Sequence, residues 1–317
     1  GLGQLINGSG NRVVNNGTIN SDGGGVITIQ GLDGGLANNG LLRAQNGTLN
    51  VSTALSGTGT LQVDGSGAMN LAAGAKSQGT LVMGPTGAAL NLNTGNLTLS
   101  TDYTNAAAGS GNSFNRRAGV SGAGQIVAGG DVAQVLSGAG VTGGNTGNAT
   151  LTIGNVRVGA NTYNVNIGNS GTNGPALRGA LQTSVNGANI TDNRLGGSGV
   201  TAGNYNAGGP GGAGSNQVIT FTASSAGALA PLTGQAVNLR STYENIADQK
   251  LNIVLAGGAA AYNAAVGSTT PAPVVVANQR VGGSNSVSLT VSNTAAAGAF
   301  SEDLNASGGG STGAALL

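Results

Sequence analysis

The sequence predicts an all-β protein: a β-solenoid over residues 1–128, an immunoglobulin-like β-sandwich with an N-terminal connector over 129–265, and a partial second sandwich module over 266–317. Three observations carry that reading. Gly makes up 62 of 317 residues and charged residues only 7%, against about 25% charged in ordinary globular domains, so Asn, Ser, Thr and Gly must cover the surface. Short segments in which apolar residues alternate with polar ones recur at roughly 8 to 12 residues, the spacing of successive strands. A stretch also occurs twice, 123 residues apart: Asn155-Val156-Arg157-Val158-Gly159 returns as Asn278-Gln279-Arg280-Val281-Gly282. That period is the length of one small β-domain.

In the first portion the strands are Thr18-Ile19, Val26 to Ile29, Leu41-Leu42, Thr48 to Val51, Thr60 to Val63, Met69 to Leu71, Thr80 to Met83, Leu90 to Leu92 and Leu97 to Leu99. Period-2 alternation points Leu49, Val51, Leu61, Val63, Leu81, Met83, Leu90, Leu92, Leu97 and Leu99 inward, and Asn50, Gln62, Val82, Asn91 and Thr98 outward. Gly17, Gly47, Gly59 and Gly79 precede strands and are expected at corners, several with positive φ. Two or three strands per turn give coils of roughly 20 to 30 residues, the size range of β-solenoids.

The segments Asn46-Gly47-Thr48-Leu49-Asn50-Val51 and Leu55-Ser56-Gly57-Thr58-Gly59-Thr60-Leu61-Gln62-Val63 make this portion resemble the passenger repeats of autotransporters and other large bacterial surface proteins. The resemblance implies a stacked-coil architecture.

Asp131 to Asn148 is Gly-rich and reads as a connector, with Ala133 to Ser137 able to form a strand. Strands are then expected at Leu151 to Ile153, Tyr163 to Ile167, Leu177 to Thr183, Gln217 to Ala223, Gln235 to Leu239 and Leu251 to Leu255. About seven strands in this length is the count of an immunoglobulin-like sandwich. Ile153 to Gly159, Ile167 to Gly171, Phe221-Thr222-Ala223 and Gly227-Ala228-Leu229 resemble the bacterial choice-of-anchor D modules, ASH-like immunoglobulin-like domains of secreted and surface proteins. That resemblance implies surface display with adhesion or scaffolding, and transfers no catalytic residue.

The chemistry-bearing residues narrow the function. Cys, His and Trp are absent, which removes disulfides, thiolate metal sites and histidine-based triads. The net charge of +1 has no run of either sign, so neither nucleic acid nor membrane insertion by this chain is expected. Asp22, Asp33, Asp64 and Asp102, the solenoid acids, are not spaced one coil apart as a glycan-cleaving cluster needs. The expectation is therefore no catalytic residue, no cofactor and no metal. The alternative is a carbohydrate-active β-helix, a polysaccharide lyase or hydrolase with accessory modules. Arg157 and Arg280, at matching places in the repeat, are read as bracketing a sandwich face or pairing with a carboxylate.

The second copy of the repeat supplies apolar strands at Val274 to Val276, Val287 to Val291 and Phe300 to Leu304 without counterparts of the later strands. Exposed strand faces of that kind seek partners. Val274, Val275, Val276, Val287, Leu289, Val291, Phe300 and Leu304 are thus the candidate assembly residues, completed by a strand from another copy around Gly1 to Asn20 in a head-to-tail, donor-strand polymer. Together these readings suggest an extracellular filament or adhesin stalk on a bacterial surface or in a biofilm matrix, with itself as partner and host or matrix glycans as further contacts.

Overall fold

Parallel pairing dominates the first half of the chain and antiparallel pairing the second. The computed structural model describes residues 2–6 (backbone), 12–72, 74–85, 87–145 and 147–307. Among them the only helical pieces are two single 3₁₀ turns, 111–113 and 198–200.

The solenoid has three faces, each a parallel ladder. Face one stacks Val13–Asn15, Leu36–Asn38, Leu55–Ser56, the start of Lys76–Met83, the start of Leu97–Asn105 and Ile126–Ala128. Face two stacks Thr18–Ser21, Leu41–Ala44, Thr60–Val63 and the later halves of the same two long strands. Face three stacks Leu2–Ile6, Val26–Gln30, Thr48–Ser52, Ala68–Leu71, Ala89–Leu92 and Val120–Ser121. Register partners such as Leu42↔Leu61 and Leu2↔Val26 set the coils before the last at 19 to 24 residues.

Every residue expected to face inward is buried, Leu49, Leu61, Leu81, Leu90, Leu92, Leu97 and Leu99 completely, and the expected outward set is half-buried by its neighbours in the ladder. Each buried Leu contributes about 1.5 to 3 kcal/mol. The interior also holds a polar column: the Asn15 amide donates to Asn38 Oδ1 at 2.7 Å, and Asn38 donates to Gln78 Oε1 at 2.7 Å. Lys76 sits in an inward row as well, its Nζ turned to the carbonyls of Gly74 (2.8 Å) and Thr94 (2.6 Å), and burial holds its pKa below the usual lysine value.

The corner glycines differ from expectation: Gly79 lies within the strand Lys76–Met83, at the register shift where that strand passes from face one to face two. None of Gly17, Gly47, Gly59 and Gly79 has positive φ. Glycine is needed at three of them because the coil below is too close: a Cβ on Gly47 would stand 2.6 Å from Gly25 O, and those on Gly59 and Gly79 would run into the backbone at Gly40 and Thr58. Positive φ falls instead on Gly35, Gly57, Gly65 and Gly95.

The last coil is longer than the rest, Leu97 pairing with Ile126 and Leu90 with Val120. The extra residues form an excursion over 106–119 that packs Ala108 and Phe114 against Ala180 of the sandwich.

The sandwich has one four-stranded sheet, ordered Gln134–Ser137, Gly159–Asn169, Ser215–Ala223, Leu195–Gly196, and one six-stranded sheet, ordered Val141–Thr142, Ala149–Ile153, Gln249–Leu255, Ala236–Ser241, Leu177–Gln182, Gly203–Gly208. Leu136, Val165 and Ile167 of the first face Leu181, Val237, Leu239 and Leu251 of the second around a common apolar core. The stretch expected as a connector thus supplies two of these strands, 134–137 and 141–142.

Two compact units result. The first contains residues 1–152, 162–220 and 232–254, so the solenoid and most of the sandwich belong together. The second contains 153–161, 221–231 and 255–317. It holds a small sheet of Val156–Arg157, Ala260–Tyr262 and Gly227–Ala228, and a hairpin of Gly267–Thr270 with Thr290–Asn293. The three strands expected in the second copy reduce to one, 290–293. Val274 to Val276 lie between Pro271 or Pro273 and irregular chain, where proline rings withhold ladder N–H donors. Near Phe300 to Leu304 only Ser301 bridges, to Asn263.

Candidate functional site

The candidate assembly residues divide by surroundings. Val274, Val275, Val276, Val287, Leu289 and Val291 are exposed, Val275 by 72%. Val291 alone among them lies in a strand, paired with Thr269. Phe300 and Leu304 turn toward their own unit: Phe300 meets Tyr262 edge-on with ring centroids 5.8 Å apart, and Leu304 lies over Gly267. Val266 and Val281, outside the expected set, are exposed too. Large apolar side chains are thus exposed repeatedly over 266–291, whereas elsewhere among the described residues only Val14, Val158 and Val218 are.

Beside this segment, in the same unit, an open cleft of about 670 Å³ is lined by Asn155, Arg157, Asn161, Tyr262, Ser301 and Glu302, among others. Its polar groups serve the fold. Arg157 Nε donates to Glu302 Oε1 at 2.7 Å, which holds the Glu302 carboxyl below the usual range and raises Arg157. Asn161 donates to Arg157 O and Gly159 O, Asn155 accepts from Ala260 N–H, and Ser301 Oγ donates to Gly298 O. The repeat counterpart Arg280 is exposed and has no ion pair among the described residues. Pairing with a carboxylate thus holds for the first copy only.

The densest chemistry lies where solenoid meets sandwich. Asp102, Arg116, Arg117, Arg178, Arg240, Glu244 and Asp248 gather there, in a chain with only 11 basic and 10 acidic residues. Asp102, on the last strand of face two, takes a two-pronged bond from Arg178 Nε (2.8 Å) and Nη2 (2.9 Å), which raises the Arg178 pKa. Bidentate guanidinium–carboxylate pairs fix orientation as well as charge. Arg116 donates to Tyr243 O at 2.9 Å and pairs with Asp248, which also accepts from Arg240.

The open edge of face one is sealed at this joint. Ile126 N–H donates to Glu244 Oε1 and its carbonyl accepts from Glu244 N–H, both at 2.9 Å. Ala128 N–H donates to Asn245 Oδ1 (2.9 Å), and its carbonyl accepts from Asn245 Nδ2 (3.0 Å). Glu244 and Asn245 thereby occupy the bonding positions of a next strand, which protects an edge otherwise prone to pairing. Arg117, from the excursion of the last coil, holds Glu244 at 2.8 and 3.0 Å and caps the carbonyls of Gly122 and Gly124.

Tyr103 and Tyr243 pack behind this network, 6.1 Å apart and fully buried. Burial pushes Tyr103 up to about 12 and raises Tyr205 and Tyr243 as well. Tyr103 O–H donates to Arg116 O, whereas the Tyr243 hydroxyl has no partner among the described residues. None of this joint was assigned from sequence. The usable signals were the adjacent Arg116-Arg117 in a chain so poor in charge, and the long gap between Leu99 and Ile126.

Among the described residues no group of three or more Asp and Glu side chains gathers as a metal site, and no helix is long and apolar enough to cross a membrane. No family model matches the chain, and no curated protein or solved structure matches it either.

Proposed function

We propose that this chain is an extracellular structural protein, non-enzymatic, that self-associates as a filament subunit or adhesin stalk of a bacterial cell surface or biofilm matrix. The observation that carries the reading is the run of exposed Val and Leu side chains over 266–291, in a chain where charged residues are only 7%. Stacked β-coils suit a stalk because the backbone ladder, not side-chain charge, supplies cohesion. A joint with bidentate and reciprocal bonds transmits load from solenoid to sandwich without a free hinge. The run suits completion by a strand from a second copy, the donor-strand mode, in which main-chain bonds give affinity and alternate side chains fill apolar positions. The Asn-Gly-Thr coil segments and the Arg157 module favour the autotransporter-like and choice-of-anchor D-like classes for the two parts.

Sedimentation velocity over a range of concentrations tests the proposal. The unaltered chain is expected to form species larger than the monomer as concentration rises, and Val275→Glu/Val276→Glu to remain monomeric with an unchanged circular dichroism spectrum. A monomer at every concentration, or association indifferent to the two glutamates, would overturn it.

A further inference from the structure

A second cavity, of about 280 Å³, opens at the joint between the last coil and the sandwich. We propose that it is a binding site for one neutral sugar ring. Phe114, Ala108 and Tyr103 border it from below but are 7%, 4% and 0% exposed, so little apolar surface is open. Its walls differ from those of the Arg157 cleft in having polar groups to spare. Arg178 uses Nε and Nη2 on Asp102 and leaves Nη1 without a hydrogen bond among the described residues. Thr104 Oγ1, Asn204 Oδ1 and Asn206 Nδ2 are likewise uncommitted, Asn204 making only a long 3.5 Å bond to Gly109 O and Asn206 using Oδ1 for Gly208 N–H. Donors and acceptors without partners among the described residues therefore border one open cavity, which is what a ring bearing hydroxyls requires.

Charge selects the class. Arg178 is the cavity's one ionised lining residue, and its bidentate bond to Asp102 cancels that charge, so neither an anion nor a cation is favoured. The volume lies at the lower end of ligand cavities, about 300 Å³, which suits a single ring in preference to an oligosaccharide enclosed whole. Thr104 belongs to the solenoid and Asn204 and Asn206 to the sandwich, so an occupant would tie the two sides of the joint together. The site is independent of self-association, since no residue of the 266–291 segment takes part.

Isothermal titration with glucose, galactose, N-acetylglucosamine and glucuronate decides the matter. At least one neutral sugar is expected to bind with a Kd of about 1 mM, and to raise the melting temperature as ligand linkage requires. Asn204→Ala/Asn206→Ala is expected to weaken that binding at least tenfold, and an unchanged circular dichroism spectrum checks that losing the Asn206 Oδ1 bond to Gly208 N–H leaves the fold in place. Thr104→Val, a near-isosteric change on the solenoid side, is expected to weaken it as well. Absence of heat and thermal shift with every neutral sugar, tighter binding of glucuronate than of all of them, or full affinity in the double variant would each overturn the assignment.

Discussion

Replacing Gly47 by Ala tests how the coils are held apart. The new Cβ would stand 2.6 Å from both Gly25 O and Ser21 Oγ, about 0.8 Å inside the 3.4 Å of ordinary contact. Neither neighbour is free to move. Gly25 O accepts from Thr48 N–H at 2.8 Å, and Ser21 Oγ donates to Gly25 O and Thr48 O at 2.9 Å. Relief must therefore come from stretching a ladder whose strands pack about 4.8 Å apart. Overpacking of this kind costs about 1 to 3 kcal/mol, more than the 0.4 to 1 kcal/mol that a Gly→Ala change returns by restricting the unfolded chain. Gly17 is the matched control: it has no atom within 4 Å of its Cβ position and no positive φ, so Gly17→Ala should stabilise by about 0.5 kcal/mol. Urea denaturation followed by circular dichroism gives both values from midpoints at constant m. The reasoning requires opposite signs. Equal midpoints for the two variants, or a more stable Gly47→Ala, would refute the close-packed corner.

Three further outcomes follow from the joint. Tyr243→Phe removes a buried hydroxyl with no partner among the described residues and should stabilise by about 1 kcal/mol in the same denaturation assay, whereas a loss of stability would reveal a bond that the hydroxyl makes. Tyr103 titrates near 10 when unfolded and at about 12 when folded, so its contribution is intact below pH 10 and disappears as pH rises from 10 through about 12; stability flat across that window would contradict its burial. Glu244→Ala strips the acceptor from Ile126 N–H and the partner from Arg117, costing about 1 to 3 kcal/mol. Hydrogen exchange at the Ile126 amide should accelerate in that variant, and unchanged protection would remove Glu244 from the edge seal.

The solenoid was legible because its signal is local. Alternation along Thr48 to Val51 or Leu90 to Leu92 fixes which side chains share a face, and parallel stacking then adds nothing that the pattern does not contain. Lys76, Asn38 and Gln78 were not legible as interior residues, since their burial depends on carbonyls and amides brought close from other coils. Gly17, Gly47 and Gly59 do lie between strands, whereas Gly79 lies inside the strand Lys76–Met83 at a register shift, and the cause differs too: φ is a property of one residue, whereas the contact of Gly47 with Gly25 and Ser21 belongs to two coils. The joint shows the same limit more strongly. Arg117 and Glu244 are 127 positions apart, and Asp102 and Arg178 are 76 apart, distances across which no periodicity speaks. In the C-terminal segment, composition alone marked Val274 to Val276 as strand, while Pro271 and Pro273 and the lack of a neighbouring ladder left them irregular and exposed.

Negative-stain electron microscopy of the purified chain at micromolar concentration tests the central claim, self-association through the exposed 266–291 segment, most directly. The account predicts elongated assemblies built from repeated copies, and separate particles once Val275 and Val276 are both replaced by Glu. Separate particles from the unaltered chain, or assemblies that persist in the double variant, would contradict it.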